Sequence, residues 1–243
     1  MTSRSLFPVA VAALLATAAV GLGARPPQGF AQDASDQASA VDAATVAGSV
    51  QSFYDRTSAL EARFRQAYYY RIYDRYERSS GQVVFQKGGK MRWNYDEPNG
   101  KVIVADGRRL VIFEPGEGED EPPQAIARPM SQHQLPRAFS FLTGEGRLAE
   151  SFRFRLLDAG RHGFSSGFVL ELRDRQPNPH YDRILFYVAG RNGRPLGVVR
   201  RVLIVDEAGN RNRFDFENVR FDPNVPNDTF AFDAPAGTRW VRP

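Results

Sequence analysis

The sequence predicts a mainly β (α+β) fold in which antiparallel strands are accompanied by two helices. About ten or eleven short segments alternate apolar and polar residues, the period of a half-buried strand. Turn pairs such as Gly88-Gly89 and Asp106-Gly107 separate neighbouring segments. Helical spacing appears at only two points, so the strand–helix–strand rhythm of a parallel sheet is missing and neighbouring strands should pair as hairpins.

Residues 1–31 have the composition of a secretory signal peptide. A basic start precedes an uncharged stretch from Leu6 to Ala24, and small residues allow cleavage after Ala31 or Ala24. A single membrane-spanning anchor is the alternative, and the proline and many alanines of this stretch argue against it. We therefore expect an exported, soluble chain in which residues 32–41 form a flexible polar spacer before the folded domain.

Charge and cysteine content exclude several classes of function. The formal net charge is +4, and removing residues 1–31, which hold two arginines and no acid, leaves 30 basic against 28 acidic residues. These charges are interspersed, whereas nucleic-acid binding needs a basic patch. The absence of cysteine excludes disulfides, thiolate metal sites and thiol catalysis. The roughly 210 residues that remain after cleavage suffice for one domain with a sizeable core.

The amino-terminal half is predicted to contain one helix and then strands. The helix covers residues 42–59, where apolar residues recur at helical spacing and Asp42 can cap the start. Residues 61–76 have the aromatic alternation of a long edge strand or of two strands. Four short strands joined by tight turns follow over Gly81–Pro115, and the acidic loop 116–123 is expected to be exposed.

The carboxyl-terminal half begins with a short helix, predicted over residues 130–144. Strands then return, at Phe152–Leu156, Phe168–Leu172, Arg183–Val188, Val198–Asp206, Arg211–Phe221 and, last, Phe230–Phe232. A sheet of this size does not stay flat, because strand twist accumulates. It forms a sandwich, a closed barrel, or a curled sheet with the helices on its concave side.

No catalytic or metal-binding constellation stands out in the sequence. The three histidines, His133, His162 and His180, lie far apart in predicted loops with no carboxylate at ligand spacing. There is no nucleophile elbow, phosphate loop or zinc-binding helix motif. Carboxylates that meet only in the folded chain stay possible. The apolar sheet face is therefore either a packed core or a lipid cavity, and periodicity alone does not separate the two.

The order and spacing of several short motifs resemble the LolA family of periplasmic lipoprotein carriers. The family has a glycine, a basic residue, an aromatic-x-Trp-x-Tyr strand, a proline and a strand ending in Asp-Gly-x-x-Leu. The matching positions here are Gly81, Lys87, Met91–Tyr95, Pro98, Val102–Ala105 and Asp106–Leu110. Near the carboxyl end, the matching segments are Asp206–Asn210, Phe214–Phe216 and Phe230–Gly237. The resemblance runs from about residue 45 to 240, within a carrier domain placed at 42–243.

The resemblance implies a single strongly curved antiparallel sheet of about 11 strands, an incomplete β-barrel whose concave apolar face is covered by a helical lid. It implies a monomeric periplasmic chaperone that takes acylated lipoproteins from an inner-membrane exporter to an outer-membrane acceptor. It also implies no cofactor and no catalysis, and the residues themselves give no reason to expect a metal site. A related carrier of another lipid, an envelope-stress sensor and a structural module with a filled core are the alternatives.

The side chains expected to take part follow from strand parity and from the resemblance. The cavity lining would be Phe85, Met91, Trp93, Tyr95, Val102, Val104, Leu110, Ile112, Phe168, Leu170, Leu172, Ile184, Phe186, Phe214 and Phe216. Leu135, Phe139 and Leu142 would belong to the lid, with the 42–59 helix as a second lid element. Lys87 stands where the family usually has an arginine that bonds the lid backbone, a contact here called the latch. Because lysine is a point charge rather than a planar fork, we expect a weaker latch, and an exposed lysine without this role is the alternative.

Overall fold

The computed structural model describes residues 41–116, 121–129, 139, 141–142, 146–176 and 179–241. The predicted signal peptide, nearly all of the spacer, Leu135 and most of the 130–144 helix lie outside these residues. In the described part, one sheet contains twelve strands. They are β1 Ala59–Tyr70, β2 Arg75–Gln86, β3 Lys90–Tyr95, β4 Val102–Asp106, β5 Arg109–Glu114, β6 Gln124–Pro129, β7 Phe152–Leu157, β8 Gly167–Asp174, β9 Arg183–Arg191, β10 Arg194–Val205, β11 Arg211–Phe221 and β12 Arg239–Val241. The helices are α1 Ala43–Arg56, α2 Leu148–Ser151 and a 3₁₀ helix Asn227–Phe230.

The strands follow the order β12-β6-β5-β4-β3-β2-β1-β11-β10-β9-β8-β7, so the sheet has two ends and is not closed. All neighbouring pairs are antiparallel except β12 with β6, which is parallel. The prediction of a mainly β fold with one curved antiparallel sheet is confirmed, and the sandwich and the closed barrel are excluded. Of the two alternatives for residues 61–76, two strands is the correct one, because β1 and the start of β2 share this segment; the edge strand was wrong, because β1 lies between β2 and β11.

Helix α1 forms where the sequence predicted it. Asp42 caps it, since its carboxylate accepts a hydrogen bond from the Thr45 amide at 2.7 Å. One side of the helix, including Val46 and Val50, is fully buried against the sheet. Gly197 allows the close approach to β10, because a Cβ there would lie 2.3 Å from a helix carbonyl oxygen. Apolar burial against β10 therefore holds the helix across the sheet.

The sheet face that α1 covers, here called the inner face, carries the main core. Phe64, Trp93, Leu172 and Phe214 are among its buried side chains, and they belong to one continuous cluster. The other side, here called the outer face, carries a smaller cluster around Tyr187 and many charged residues. The sheet thus has one strongly apolar face, as the alternation of its strands predicted.

Polar contacts on the outer face tie the first three strands together. The carboxylate of Asp96 accepts hydrogen bonds from the Ser80 hydroxyl at 2.6 Å and from the Arg63 guanidinium at 2.7 Å. These bonds hold the pKa of the Asp96 carboxyl below its usual value of 3.8, the serine hydroxyl contributing most. They join residues of β1 and β2 to the residue that follows β3.

Candidate functional site

An aromatic cluster occupies the centre of the inner face. The indole of Trp93 lies 4.9 Å from the ring of Phe64, 5.5 Å from Phe85 and 5.2 Å from Phe214, measured between ring centroids. Strands β1, β2, β3 and β11 supply these four rings, and they meet because these strands are neighbours in the sheet. Gly81 lets the Phe64 ring lie on β2, since a Cβ there would be 2.7 Å from the ring edge.

Most of the predicted lining residues come together on this face. Three of them, Tyr95, Ile112 and Phe168, are half-buried against the cluster. The buried ones are Phe85, Met91, Trp93, Leu110, Leu170, Leu172, Ile184, Phe186, Phe214 and Phe216. Contact with a lipid stays a prediction for all of them.

Val102 and Val104 were assigned to the wrong face. Strand β4 turns Ile103 and Ala105 toward the inner cluster, whereas Val104 lines a shallow outer pocket together with Val111. The four consecutive apolar residues of this strand show no alternation, so its parity could not be set from the sequence. The outer face is apolar here because the carboxyl-terminal segment around the 3₁₀ helix covers it.

The residues described between β6 and β7 cover the inner face. The Phe139 ring is fully buried and lies 5.3 Å from Trp93 and 5.5 Å from Phe214. Phe141 packs on Phe186 at 4.4 Å, and Leu142 is also buried in the cluster. Two of the three predicted lid residues, Phe139 and Leu142, therefore plug the inner face; Leu135 lies outside the described residues.

Side chains of α1, the helix predicted as the second lid element, complete the cover, although the sequence analysis did not list them one by one. The ring of Tyr54 packs against Phe141 at 5.0 Å, and its hydroxyl accepts a hydrogen bond from the Val199 amide at 3.2 Å. Burial raises the pKa of the Tyr54 hydroxyl well above its usual value of 10, so the phenol stays neutral. The helical spacing of Val46, Val50 and Tyr54, from which the helix was predicted, also marks the side chains that it buries here.

A hollow of about 460 Å³ remains at the hairpin end of the inner face. Its deep wall is apolar and includes Tyr95, Ile103, Ile112 and Phe214, whereas its rim is polar. Burial also raises the pKa of the Tyr95 hydroxyl, which leaves this wall without charge. A space of this size lies within the range of roughly 300–1,000 Å³ that holds a small organic ligand. Next to this hollow, buried side chains of the described residues pack as one continuous cluster on the inner face.

The indole nitrogen of Trp93 has no hydrogen-bond partner within the described part of the chain, although the side chain is fully buried. Its ring neighbours are phenylalanines, which offer no oxygen acceptor. An unsatisfied buried donor costs about 1–3 kcal/mol.

Lys87 joins the β2–β3 turn to helix α1. Its ammonium donates a hydrogen bond to the carbonyl oxygen of Asp55 at 2.5 Å, and its backbone amide donates to the Ser58 carbonyl at 3.0 Å. Asp55 lies in the last turn of α1, where backbone carbonyls lack partners within the helix and a cation is favourable. The side chain is thus placed for the predicted latch, on the α1 part of the lid.

Within the described ranges, no group of three or more histidine, aspartate and glutamate residues is placed to hold a metal ion. His162 and His180 line different hollows, on the outer and the inner face. A search of the same residues finds no helix with the length and apolar character needed to cross a membrane.

Comparison with known proteins gives one consistent result. The family model described as "Outer membrane lipoprotein carrier protein LolA" matches residues 55–233. The outer-membrane lipoprotein carrier protein of Dechloromonas aromatica is 26% identical over 195 residues, which cover 79% of this chain and 86% of the relative. That of Nitrosospira multiformis is also 26% identical, and the match covers 80% of this chain and 87% of the relative.

Among solved structures, a LolA superfamily protein from Nitrosomonas europaea aligns with a TM-score of 0.45 and 16% identity. The alignment covers 79% of this chain and 99% of that one. The family model covers most of the chain. On that match, the chain belongs to the LolA family of outer membrane lipoprotein carrier proteins.

Proposed function

We propose that this protein binds the acyl chains of lipoproteins on its inner face and carries them through the periplasm from the inner to the outer membrane. The proposal rests on one observation, the way in which that face is covered. The apolar sheet is closed by one helix and by the segment that holds Phe139 and Leu142, not by a second sheet. Such a cover can move while the hydrogen bonds of the sheet stay intact.

The energetics of a lipid anchor require such a cover. Each methylene left in water costs about 0.8 kcal/mol, so an acylated protein does not cross an aqueous space unaided. The existing hollow of about 460 Å³ suits part of an acyl chain. A complete anchor needs the space now taken by Phe139, whose burial contributes about 1.5–3 kcal/mol. Acyl methylenes that replace this ring recover that free energy, so loading exchanges one buried apolar group for another.

The proposed partners are an acylated lipoprotein, an inner-membrane exporter and an outer-membrane acceptor, and the carrier acts as a monomer without cofactor or catalysis. Residues 1–31 would be removed on export. Native mass spectrometry of the protein purified from the cell envelope tests the cargo. Bound lipoprotein supports the proposal, bound free lipid favours a carrier of another lipid, and an empty protein favours a structural module.

A photo-cross-linking residue placed in β5 tests the binding face. Ile112 lines the inner hollow and Val111, the preceding residue, lies on the outer face. Cross-links to lipoprotein are expected from position 112, with position 111 as the matched control. Equal labelling from both positions would contradict binding on the inner face.

A further inference from the structure

The hairpin formed by β1 and β2 projects from the sheet and exposes apolar side chains at its tip. Ile72 is 80% exposed and Tyr73 is 75% exposed, and both lie in the turn between the two strands. Turn positions of this kind usually carry glycine, asparagine or aspartate. An isoleucine and a tyrosine at the most exposed point of the hairpin are not explained by packing within the protein.

The length of the hairpin sets this tip apart from the sheet. Strand β3 pairs with β2 only from Gly81 onward, and the Asp96 amide that follows β3 still bonds the Ser80 carbonyl, so residues 75–79 are the part of β2 that extends past β3. Five residues of strand extend about 17 Å. On the other side, β11 pairs with β1 as far as Tyr69.

Arg71, at the start of the turn, is bonded to the loop between β10 and β11, since its amide donates to the Asn210 side-chain oxygen at 2.9 Å and its guanidinium to the Ala208 carbonyl at 3.2 Å. Ile72 and Tyr73 follow this anchored residue and stand beyond both neighbouring strands.

Tyrosines and arginines surround the tip. The Arg211 guanidinium lies 4.4 Å from the Tyr69 ring, and Arg78 lies 5.4 Å from the Tyr76 ring. Tyrosine is the residue type that settles where an apolar layer meets water, since its ring is apolar and its hydroxyl is polar. Arginine adds donors suited to phosphate oxygens.

A basic groove continues from the hairpin across the outer face. It has a volume of about 820 Å³, and seven arginines line it together with a single carboxylate, Glu171. Asp182 and Asp215 also pair with arginines of this groove, so that, with Glu171, three acidic residues stand against the seven arginines. The excess of cations complements an anionic surface. Because Tyr69 and Arg78 line the groove as well, the groove and the tip form one continuous region.

We propose that this hairpin docks on a phospholipid bilayer, with Ile72 and Tyr73 inserted at the interface and the arginines facing headgroup phosphates. A protein partner fits the geometry less well. The tip offers two convex apolar side chains and no flat surface of the size that a stable protein interface needs. The free edge of β2 carries alternating charges, at Arg75, Glu77 and Arg78, which resist the addition of another strand.

Docking of this kind would bring the mouth of the inner hollow to the membrane. Tyr68 and Tyr70, on the inner side of the same hairpin, form part of the hollow's rim. The inference goes beyond the proposed function, because bilayer binding requires no lipoprotein. Carriage of lipoproteins would stand if vesicle binding failed, and vesicle binding would stand if no cargo were found.

The test uses the mature protein and vesicles of phosphatidylethanolamine and phosphatidylglycerol, with binding measured by co-sedimentation. Changing Ile72→Ser and Tyr73→Ser together is expected to weaken binding at least tenfold, because burial of an apolar side chain is lost at each position. Leu196→Ser is the matched control, since Leu196 is a 44% exposed aliphatic residue in β10, distant from this tip along the sheet. The control should bind as the unaltered protein does.

A second readout reports insertion directly. The chain has two tryptophans, Trp93, which is buried, and Trp240, which is 50% exposed. With Trp240→Phe as background, Tyr73→Trp should shift its emission to shorter wavelength when vesicles are added. Three results would each overturn the inference: no vesicle binding by the unaltered protein, equal binding by the tip variant, or binding abolished by salt with no emission shift. Loss of an envelope protein partner in the tip variant, with vesicle binding unchanged, would overturn it in favour of protein docking.

Discussion

Replacing Lys87 with leucine should shift the lid toward its open form. The lysine ammonium bonds the Asp55 carbonyl in the last turn of α1, and leucine removes both this hydrogen bond and the positive charge. The adjacent backbone bond from the residue 87 amide to Ser58 stays, so the turn itself should keep its shape. The substitution thus tests the side-chain contact alone.

The size of the effect follows from the two interactions lost. A net hydrogen bond contributes about 1 kcal/mol, and this one is exposed, which argues against a higher figure. A cation at a helix carboxyl terminus adds about 0.5 kcal/mol. The sum of about 1.5 kcal/mol corresponds to about a tenfold increase in the open-to-closed ratio. Lys87→Arg should lower the open-to-closed ratio, because the planar arginine guanidinium can donate to a second carbonyl.

Distances between two spin labels measure this ratio. The chain has no cysteine, so Ser52→Cys in α1 and Gln82→Cys in β2 would carry the only labels. The Lys87→Leu protein should show a larger population at long distance than the unaltered protein. Lys90→Leu is the matched control, because the Lys90 ammonium faces the Phe230 ring at 5.9 Å and does not contact α1. Identical distance distributions with and without Lys87, or an equal shift in the control, would refute the latch.

Three further changes should have distinct effects. Phe139→Ala should lower the free energy of unfolding by about 3–5 kcal/mol and tighten the binding of a fluorescent fatty acid. The control Phe113→Ala, on the outer face, should lower the stability without changing fatty-acid binding. Equal fatty-acid binding by the two variants would contradict the idea that Phe139 plugs the inner face. Tyr54→Phe should lower the free energy of unfolding by about 1–3 kcal/mol and speed hydrogen exchange at the Val199 amide. Unchanged exchange would contradict the hydrogen bond from this amide to the Tyr54 hydroxyl. Because the pKa of Asp96 is lowered on folding, its stabilisation is present above its ordinary pKa of 3.8 and lost as pH falls through the folded value. Asp96→Asn should therefore be less stable than the unaltered protein in chemical denaturation at pH 7, with the difference closing in acid; a difference that persists in acid would contradict this.

The alternation of apolar and polar residues was sufficient to predict most of the side chains on the inner face. Alternation places Met91, Trp93 and Tyr95 on one side of β3, and the structure agrees. The same method failed for Val102 and Val104, because both faces of β4 are covered and an apolar run has no parity. Which face a strand buries can be predicted when only one face is covered, and not when both are.

Contacts between distant segments were beyond the reach of the sequence. Strand β1 pairs with β11, about 150 residues away, and no local signal marks that partner. The predicted last strand at Phe230–Phe232 was wrong: the 3₁₀ helix ends at Phe230, the next two residues form no strand, and the last strand comes later, at Arg239–Val241, parallel to β6. The prolines at 226 and 235, on either side of this segment, favour a turn over a ladder.

The two unpaired ends of the sheet bear on how much cargo can be held. A closed barrel has a circumference fixed by its strand number and stagger. Here β7 and β12 end the strand order without meeting each other. The gap between them can widen by a change in twist, with no ladder hydrogen bond broken. For the carrier role proposed above, capacity would then depend on how far the sheet uncoils, and one architecture would accommodate anchors of different girth.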